Sequence, residues 1–294
     1  VDFAIAKGTP IVAVKSGTVA ISRALKNPNG TYRSYGEYVV IDHHEQDEKT
    51  IETEYKYIDI SSALEIPIME DLVAKYIENN YSKCTTINYI AYITTNYRVL
   101  VENRWLDDLQ YQCEPTEYHE KRVMVRFTMD RFTGEEFLRH RKASFNREST
   151  RYVAFTKEKF GGGSIKYIIP VWMLDRTDEI DDFKNMSIVD FCRNVIDIEE
   201  GDMECISDIF VWEFALKATE WSYNTLMNEY EWKAQQARTV LPCAISSPLI
   251  KTAFISDWKH FFNLRAIGTT GAPHPQAKEL AEPLMNDFKE LGLI

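Results

Sequence analysis

The sequence predicts an α+β fold, on three observations. Residues 1 to about 60 are short β-rich stretches broken by turn residues, residues 123–129 alternate apolar and polar side chains, and the last third is apolar at helical spacing. Strands and helices do not alternate at the rhythm of βαβ units, which disfavours a doubly wound parallel sheet.

The elements follow in order from local signals. Ile11-Val12-Ala13-Val14, Thr18-Val19-Ala20-Ile21 and Tyr38-Val39-Val40-Ile41 read as strands, separated by Lys15-Ser16-Gly17 and Asn27-Pro28-Asn29-Gly30. Residues 61–94 read as a helical connector, in which Leu72 and Tyr76 share a helix face. From 95 a third unit runs to residue 294. In it Val123, Val125, Phe127 and Met129 form one face of a strand, and Thr133-Gly134-Glu135-Glu136 reads as a capping box opening a helix. A polar loop follows. Tyr152–Thr156 and Ile165–Ile169 then read as a hairpin turning at Gly161-Gly162-Gly163, which lacks the Lys-Ser/Thr of a phosphate loop. Asp178, Glu179, Asp181 and Asp182 read as a solvated loop. Tyr223, Leu226, Met227, Tyr230 and Ala234 fall on one face of a long helix that must stop before Pro242. Ile250–Arg265 and Gln276–Leu291 complete the helices.

Composition narrows the function. Apolar residues make up 45% and charged residues 27%, the balance of a chain that buries a core. No apolar run approaches the roughly 20 residues of a membrane-spanning helix, so no membrane partner is expected. The net charge of −11 sets the chain against a general nucleic-acid surface but leaves room for a local phosphate grip. Cys84, Cys113, Cys192, Cys205 and Cys243 contain no CxxC pair, so neither a disulfide framework nor structural zinc is expected, and a reducing cytoplasm is. His43-His44 beside Asp42 is not read as a metal site. The opening Val1-Asp2-Phe3 carries no basic and apolar leader, and a true start upstream of it is expected.

The densest polar signal is Arg139-His140-Arg141-Lys142-Ala143-Ser144-Phe145-Asn146-Arg147-Glu148-Ser149-Thr150-Arg151. Guanidinium forks and hydroxyls at this density suit a phosphorylated ligand, because each arginine can offer a bidentate contact. On composition alone a solvated basic loop is an equal reading. Spacing separates the two. The string R-H-R-x-x-S-x-N-x-x-S-x-R resembles the signature of the flavin-dependent thymidylate synthases, the ThyX family. Gln236-Ala237-Arg238-Thr239-Val240-Leu241-Pro242 resembles a second family segment, His260-Phe261-Phe262-Asn263-Leu264-Arg265 a third, and His274-Pro275-Gln276 a fourth, in the family's order. The resemblance covers about residues 95–294.

This resemblance implies a mainly antiparallel sheet with helices, and a homotetramer whose active sites form between subunits around FAD. It implies that NADPH reduces the flavin, that methylene-tetrahydrofolate supplies one carbon, and that dUMP becomes dTMP with no protein nucleophile. By the same resemblance Arg139, His140, Arg141 and Asn146 contact FAD, with His260 a further flavin contact. Ser149, Thr150, Arg151 and Arg238 bind dUMP. Arg265 binds the pyrimidine and is the catalytic residue, a fixed cation beside a ring that gathers negative charge. No metal is implied.

Several positions depart from the family pattern. Cys113 stands for a histidine in Cys113-Glu114-Pro115-Thr116-Glu117-Tyr118-His119, Glu136 for a glutamine, and Arg147 at a position often acidic. Phe254 and Ser256 stand where Asn and Arg are common, and Ile267–Pro273 lengthens the loop after Arg265. A weaker likeness joins Asp2, Gly8-Thr9-Pro10 and Tyr35–His43 to lysostaphin-type zinc endopeptidases, with Tyr55-Lys56-Tyr57 where an H-x-H pair is expected; Asp2 alone cannot build a zinc site. Two alternatives to a thymidylate synthase stand beside it: a nucleotide-binding relic without turnover, and a degenerate cell-wall peptidase-like protein.

Overall fold

The computed structural model describes residues 18–26, 32–42, 61–67, 70–151, 154–156, 164–196 and 207–294. Strands β1 (Thr18–Lys26) and β2 (Tyr32–Asp42) come first. A small unit follows, with β3 (Ser61–Pro67), α1 (Glu70–Ile77), β4 (Lys83–Ile87), β5 (Ile90–Asn96) and α2 (Tyr97–Asn103). Next come β6 (Arg122–Phe127), α3 (Arg131–Leu138) and β7 (Ser144–Arg147), then α4 (Thr177–Lys184), α5 (Ile188–Ile196), α6 (Asp208–Asn228) and α7 (Ala234–Ala237). The chain closes with β8 (Leu249–Phe254), α8 (Ile255–Phe262) and α9 (Pro275–Glu290). The class is α+β.

The main sheet is antiparallel, in the order β1-β2-β6-β8-β7. Alternation decides which face it buries. Val123, Val125 and Phe127 on β6 are at most 1% exposed, and Leu249 and Ala253 on β8 lie on the same side. Trp258, Phe261 and Phe262 of α8 and Leu280, Leu284 and Phe288 of α9 close over them. The indole N–H of Trp258 donates to the Val123 carbonyl at 3.1 Å, so the largest core side chain leaves no orphan donor. β2 pairs with β6 from Tyr38↔Phe127 to Asp42↔Val123, which makes the N-terminal strands part of this sheet.

The stretch 61–94 departs from its expected helical character. Among its described residues only α1 is helical; β3, β5 and β4 form a second antiparallel sheet around Leu64, Ile66, Val73, Tyr76 and Ile93. Asn88 and Tyr89, at φ 49 and 66, are the two central residues of the β4–β5 hairpin, and β-branched flanks override the weak helical pattern.

Other elements are also corrected. β7 occupies the expected polar loop, because its pairing partner β8 lies about a hundred residues away and no local signal reports it. Residues 250–265 are not one helix: β8 runs to Phe254, whose extended backbone caps α8. α6 ends at Asn228 rather than reaching Ala234, with Glu231 in the left-handed region at φ 53 and no glycine or proline to announce the break. Residues 165–169 form no strand, only a Tyr167↔Ile245 bridge, and 154–156 lie in a turn. Asp178, Glu179, Asp181 and Asp182 sit on α4, where Arg176 binds Glu179 at 2.7 Å. Ile11–Val14, Asp2, His43-His44, Tyr55–Tyr57, Tyr152-Val153 and Gly161–Gly163 lie outside the described residues.

Candidate active site

The site is built on the C-terminal end of α3. Asp130, not Thr133, caps this helix, accepting the Thr133 N–H at 2.9 Å and the Thr133 hydroxyl. Gln276 donates its side-chain amide to the same carboxylate at 2.7 Å, so the start of α9 docks on the start of α3. With the cap moved three residues upstream, Glu136 is no longer a capping residue. It faces Arg265 instead.

Arg265 lies on a π-helical turn, Asn263–Ile267, directly after α8. Such turns re-aim side chains and are frequent at functional sites. Gly268 closes it at φ 78, and a Cβ there would come within 2.7 Å of the Gly271 carbonyl, so glycine is required. The Arg265 guanidinium donates through Nε to His140 Nε2 at 3.1 Å, through Nη2 to the Glu136 carbonyl at 3.0 Å, and through Nη1 to the Glu136 carboxylate. These bonds use three of its five N–H groups.

His140 accepts from Arg265, so its Nε2 is unprotonated and Nδ1 carries the hydrogen. Burial above all, and then the positive charges of Lys251 and Arg265, push its pKa from 6.5 down to about 3. His260 stands beside it with ring centroids 6.1 Å apart. Arg139, Glu136 and Arg265 line a cavity of about 680 Å³, within the range of cofactor sites. Phe132 and Trp172 flank it at 69% and 56% exposure, and the Trp172 and His274 rings meet at 6.3 Å.

A second group forms elsewhere on the surface. The Arg151 Nε–H donates to Gln235 of α7 at 3.3 Å, and its backbone N–H to the Ser149 hydroxyl at 3.4 Å. Arg238 is exposed at the end of α7, and Thr150 is buried beside Ser149. The structure thus gathers Arg139, His140, His260 and Arg265 in one cluster and Ser149, Arg151 and the Arg238 helix in another. Arg141 is exposed outside the cavity lining, and Asn146 sits on β7 opposite Ile250.

The departures acquire structural reasons. Arg147 is a strut: it donates to Ser247 at 2.8 Å, to Glu135 at 2.7 Å and to the Arg131 carbonyl at 3.0 Å, tying β7 to α3. It crosses Gly134 so closely that a Cβ there would lie 2.6 Å from Nη2. Phe254 is core, with the Arg122 guanidinium 4.9 Å above its ring. Cys113 does meet a histidine, His119, at 3.8 Å, a pairing that no local pattern announces. Yet His119 Nδ1 accepts the Thr116 N–H at 3.0 Å, which leaves the proton on Nε2 beside the sulfur and the Leu64 carbonyl. That tautomer cannot deprotonate the thiol, so the pair locks β3 to its neighbour and is not a nucleophile. Phe132, Trp172 and Glu136 are site residues that sequence reasoning missed or assigned elsewhere, since no motif carries the first two. Among the described residues no group of three His, Cys, Asp or Glu is placed to hold a metal, and no helix is long and apolar enough to cross a membrane.

Three solved structures and one family model are similar to this chain. Thymidylate synthase X from Helicobacter pylori, in a structure with FAD and dUMP, is 17% identical over 58% of this chain and 70% of its own, with a TM-score of 0.37. A second H. pylori structure of the flavin-dependent enzyme with FAD and dUMP is 17% identical over 56% and 67%, at 0.35. A UMP/dUMP methylase, PolB, from Streptomyces cacaoi bound with 5-Br dUMP is 20% identical over 58% and 66%, at 0.39. No curated protein matches the sequence. The family model for thymidylate synthase complementing protein matches residues 67–291, taking in most of the small sheet that the motifs alone left outside. A match over well more than half of the chain decides membership: this protein belongs to the thymidylate synthase complementing proteins, the flavin-dependent thymidylate synthase family.

Proposed function

We propose that the protein is a flavin-dependent thymidylate synthase, methylating dUMP to dTMP with methylene-tetrahydrofolate as carbon donor and NADPH as reductant. The observation that carries this reading is Arg265, pinned by Glu136 and His140 at the wall of a cavity that Arg139 also lines. The cavity fits FAD in kind: Arg139 for its phosphates, and the exposed aromatic side chains of Phe132 and Trp172 for its flat ring. Bound there, the flavin would supply hydride.

The chain's own residues do the rest. Arg139, from the cavity wall, would hold the cofactor, and the family resemblance adds His140, Arg141, Asn146 and His260, which lie outside that lining. Ser149, Thr150, Arg151 and Arg238 grip the nucleotide, with charge-assisted bonds to its phosphate. Arg265 turns its two remaining N–H groups to the pyrimidine and favours the ionised ring, a preorganised cation that needs no reorientation as charge develops. The reading carries a homotetramer with shared sites and a cytoplasmic setting.

A second reading, a nucleotide-binding protein without turnover, is favoured by one observation: the Glu136 carboxylate offsets part of the Arg265 charge. One experiment separates them. The visible spectrum of the purified protein is recorded before and after NADPH with dUMP, and dTMP is assayed with the folate. A flavin spectrum that bleaches, with dTMP formed, supports the synthase; a colourless protein that takes up no added FAD overturns it.

A further inference from the structure

The Glu136 carboxylate adds something that the orientation of Arg265 does not need. Two neutral acceptors, His140 Nε2 and the Glu136 carbonyl, already take the Nε–H and one Nη2–H, and so fix the plane of the guanidinium. The carboxylate takes a third hydrogen, from Nη1, on its Oε2. Among the described residues nothing donates to its other oxygen, Oε1. The Glu136 side chain is 32% exposed and lines the cavity, as Arg265 does at 18%. A carboxylate oxygen on a cavity wall needs a donor, which is water until a ligand supplies one.

The neighbouring atoms say what kind of donor fits. Nη1 carries a second hydrogen that none of the three bonds uses, so a donor on Arg265 and an acceptor on Glu136 stand side by side. Their complement is a flat ring with an N–H next to a carbonyl, the lactam edge that uracil presents at N3 and C4. The glutamine of the family pattern would offer the opposite polarity. Arginine only donates, so it would take the amide oxygen and leave the NH2 group to face the ligand, whereas a carboxylate only accepts. We propose that Glu136 is a substrate-binding residue: its Oε1 accepts the N3–H of the pyrimidine while Arg265 Nη1 donates to the adjacent carbonyl. The identity of the nucleotide rests on the synthase reading. The bond acts in the same direction as Arg265, because a carboxylate draws the N3 proton and leaves electron density on the ring that the guanidinium faces.

The test is calorimetry of the full chain, wild type and Glu136→Gln, with dUMP and with 3-methyl-dUMP, in which a methyl group replaces the N3 hydrogen. In wild type the methylation should weaken binding by about ten- to a hundredfold, the worth of a hydrogen bond to a charged group. Glu136→Gln keeps the volume of the side chain. In it dUMP should bind about tenfold or more weakly, and the penalty for methylation should shrink by about the same factor. A Glu136 that merely orients Arg265 would weaken both ligands alike and leave the penalty unchanged; that result overturns the proposal, as does a wild type that binds both ligands equally. The flavin ring carries the same lactam edge, so FAD uptake is measured in both proteins, and a loss confined to FAD overturns the pyrimidine assignment. A wild type that binds no dUMP removes the synthase reading and the proposal with it, whereas dUMP binding with an unmoved penalty removes the proposal alone.

Discussion

The two halves of the arginine-rich segment meet opposite surroundings. His140, in the first half, is half-buried against Phe261 and receives Arg265, which Glu136 holds from the other side. In the second half Ser149 and Arg151 are exposed, as is Arg238 near them in the same cluster, and the Arg151 Nε–H donates to a neutral glutamine at 3.3 Å. The same residue types therefore work in two ways. Where a carboxylate and an imidazole fix a guanidinium beforehand, its field is in place before a ligand arrives. Where the side chains stay solvated, each must be ordered on binding, and the contact contributes affinity rather than a preset field.

The sharpest way to break this comparison is Arg265→Ala. Loss of a preorganised cation should lower dTMP formation by about 10²–10³ while the bound flavin is retained, read by product assay and visible spectrum. Unchanged turnover would place Arg265 with the solvated half. Acid should also distinguish the halves. With a folded pKa of about 3 against 6.5, His140 refuses a proton that the unfolded chain takes up between those values. Stability should therefore rise with pH across that window and be lost on acidification through it, as urea midpoints at several pH values would show.

Arg151→Ala and Arg238→Ala sharpen the other side. Each should weaken dUMP binding by about 1.5–3 kcal/mol, roughly ten- to a hundredfold in Kd, with no change in thermal midpoint. Calorimetry showing unmoved affinity would remove the phosphate assignment. Asp130→Ala should cost about 1–2 kcal/mol of stability, because it removes the cap of α3 and its bond to α9 together. A variant as stable as wild type would show that α3 is held by its packing alone.

How much could be read beforehand depended on range. The strand at 122–127 and the helix at 275–290 were legible because their buried faces follow a local period. The arginine-rich signature was legible because its identity lies in spacing. The cap of α3 was not: Thr133 with Glu136 satisfies the local pattern, but Asp130 wins because Gln276 arrives from α9 to share its carboxylate. β7 was missed for the same reason, and the break after Asn228 carries no glycine or proline.

By itself, then, the order of residues determined the class of fold, the family and the cluster of cations that a phosphorylated ligand would need. Tertiary structure decided what those cations do. It committed Arg147 to joining β7 to α3, turned Glu136 from a cap into the partner of Arg265 across 129 residues, and set Lys251 against the Phe261 ring. Period and spacing are carried by neighbours along the chain, whereas the charge state of a buried group depends on whatever the fold brings within a few ångströms of it.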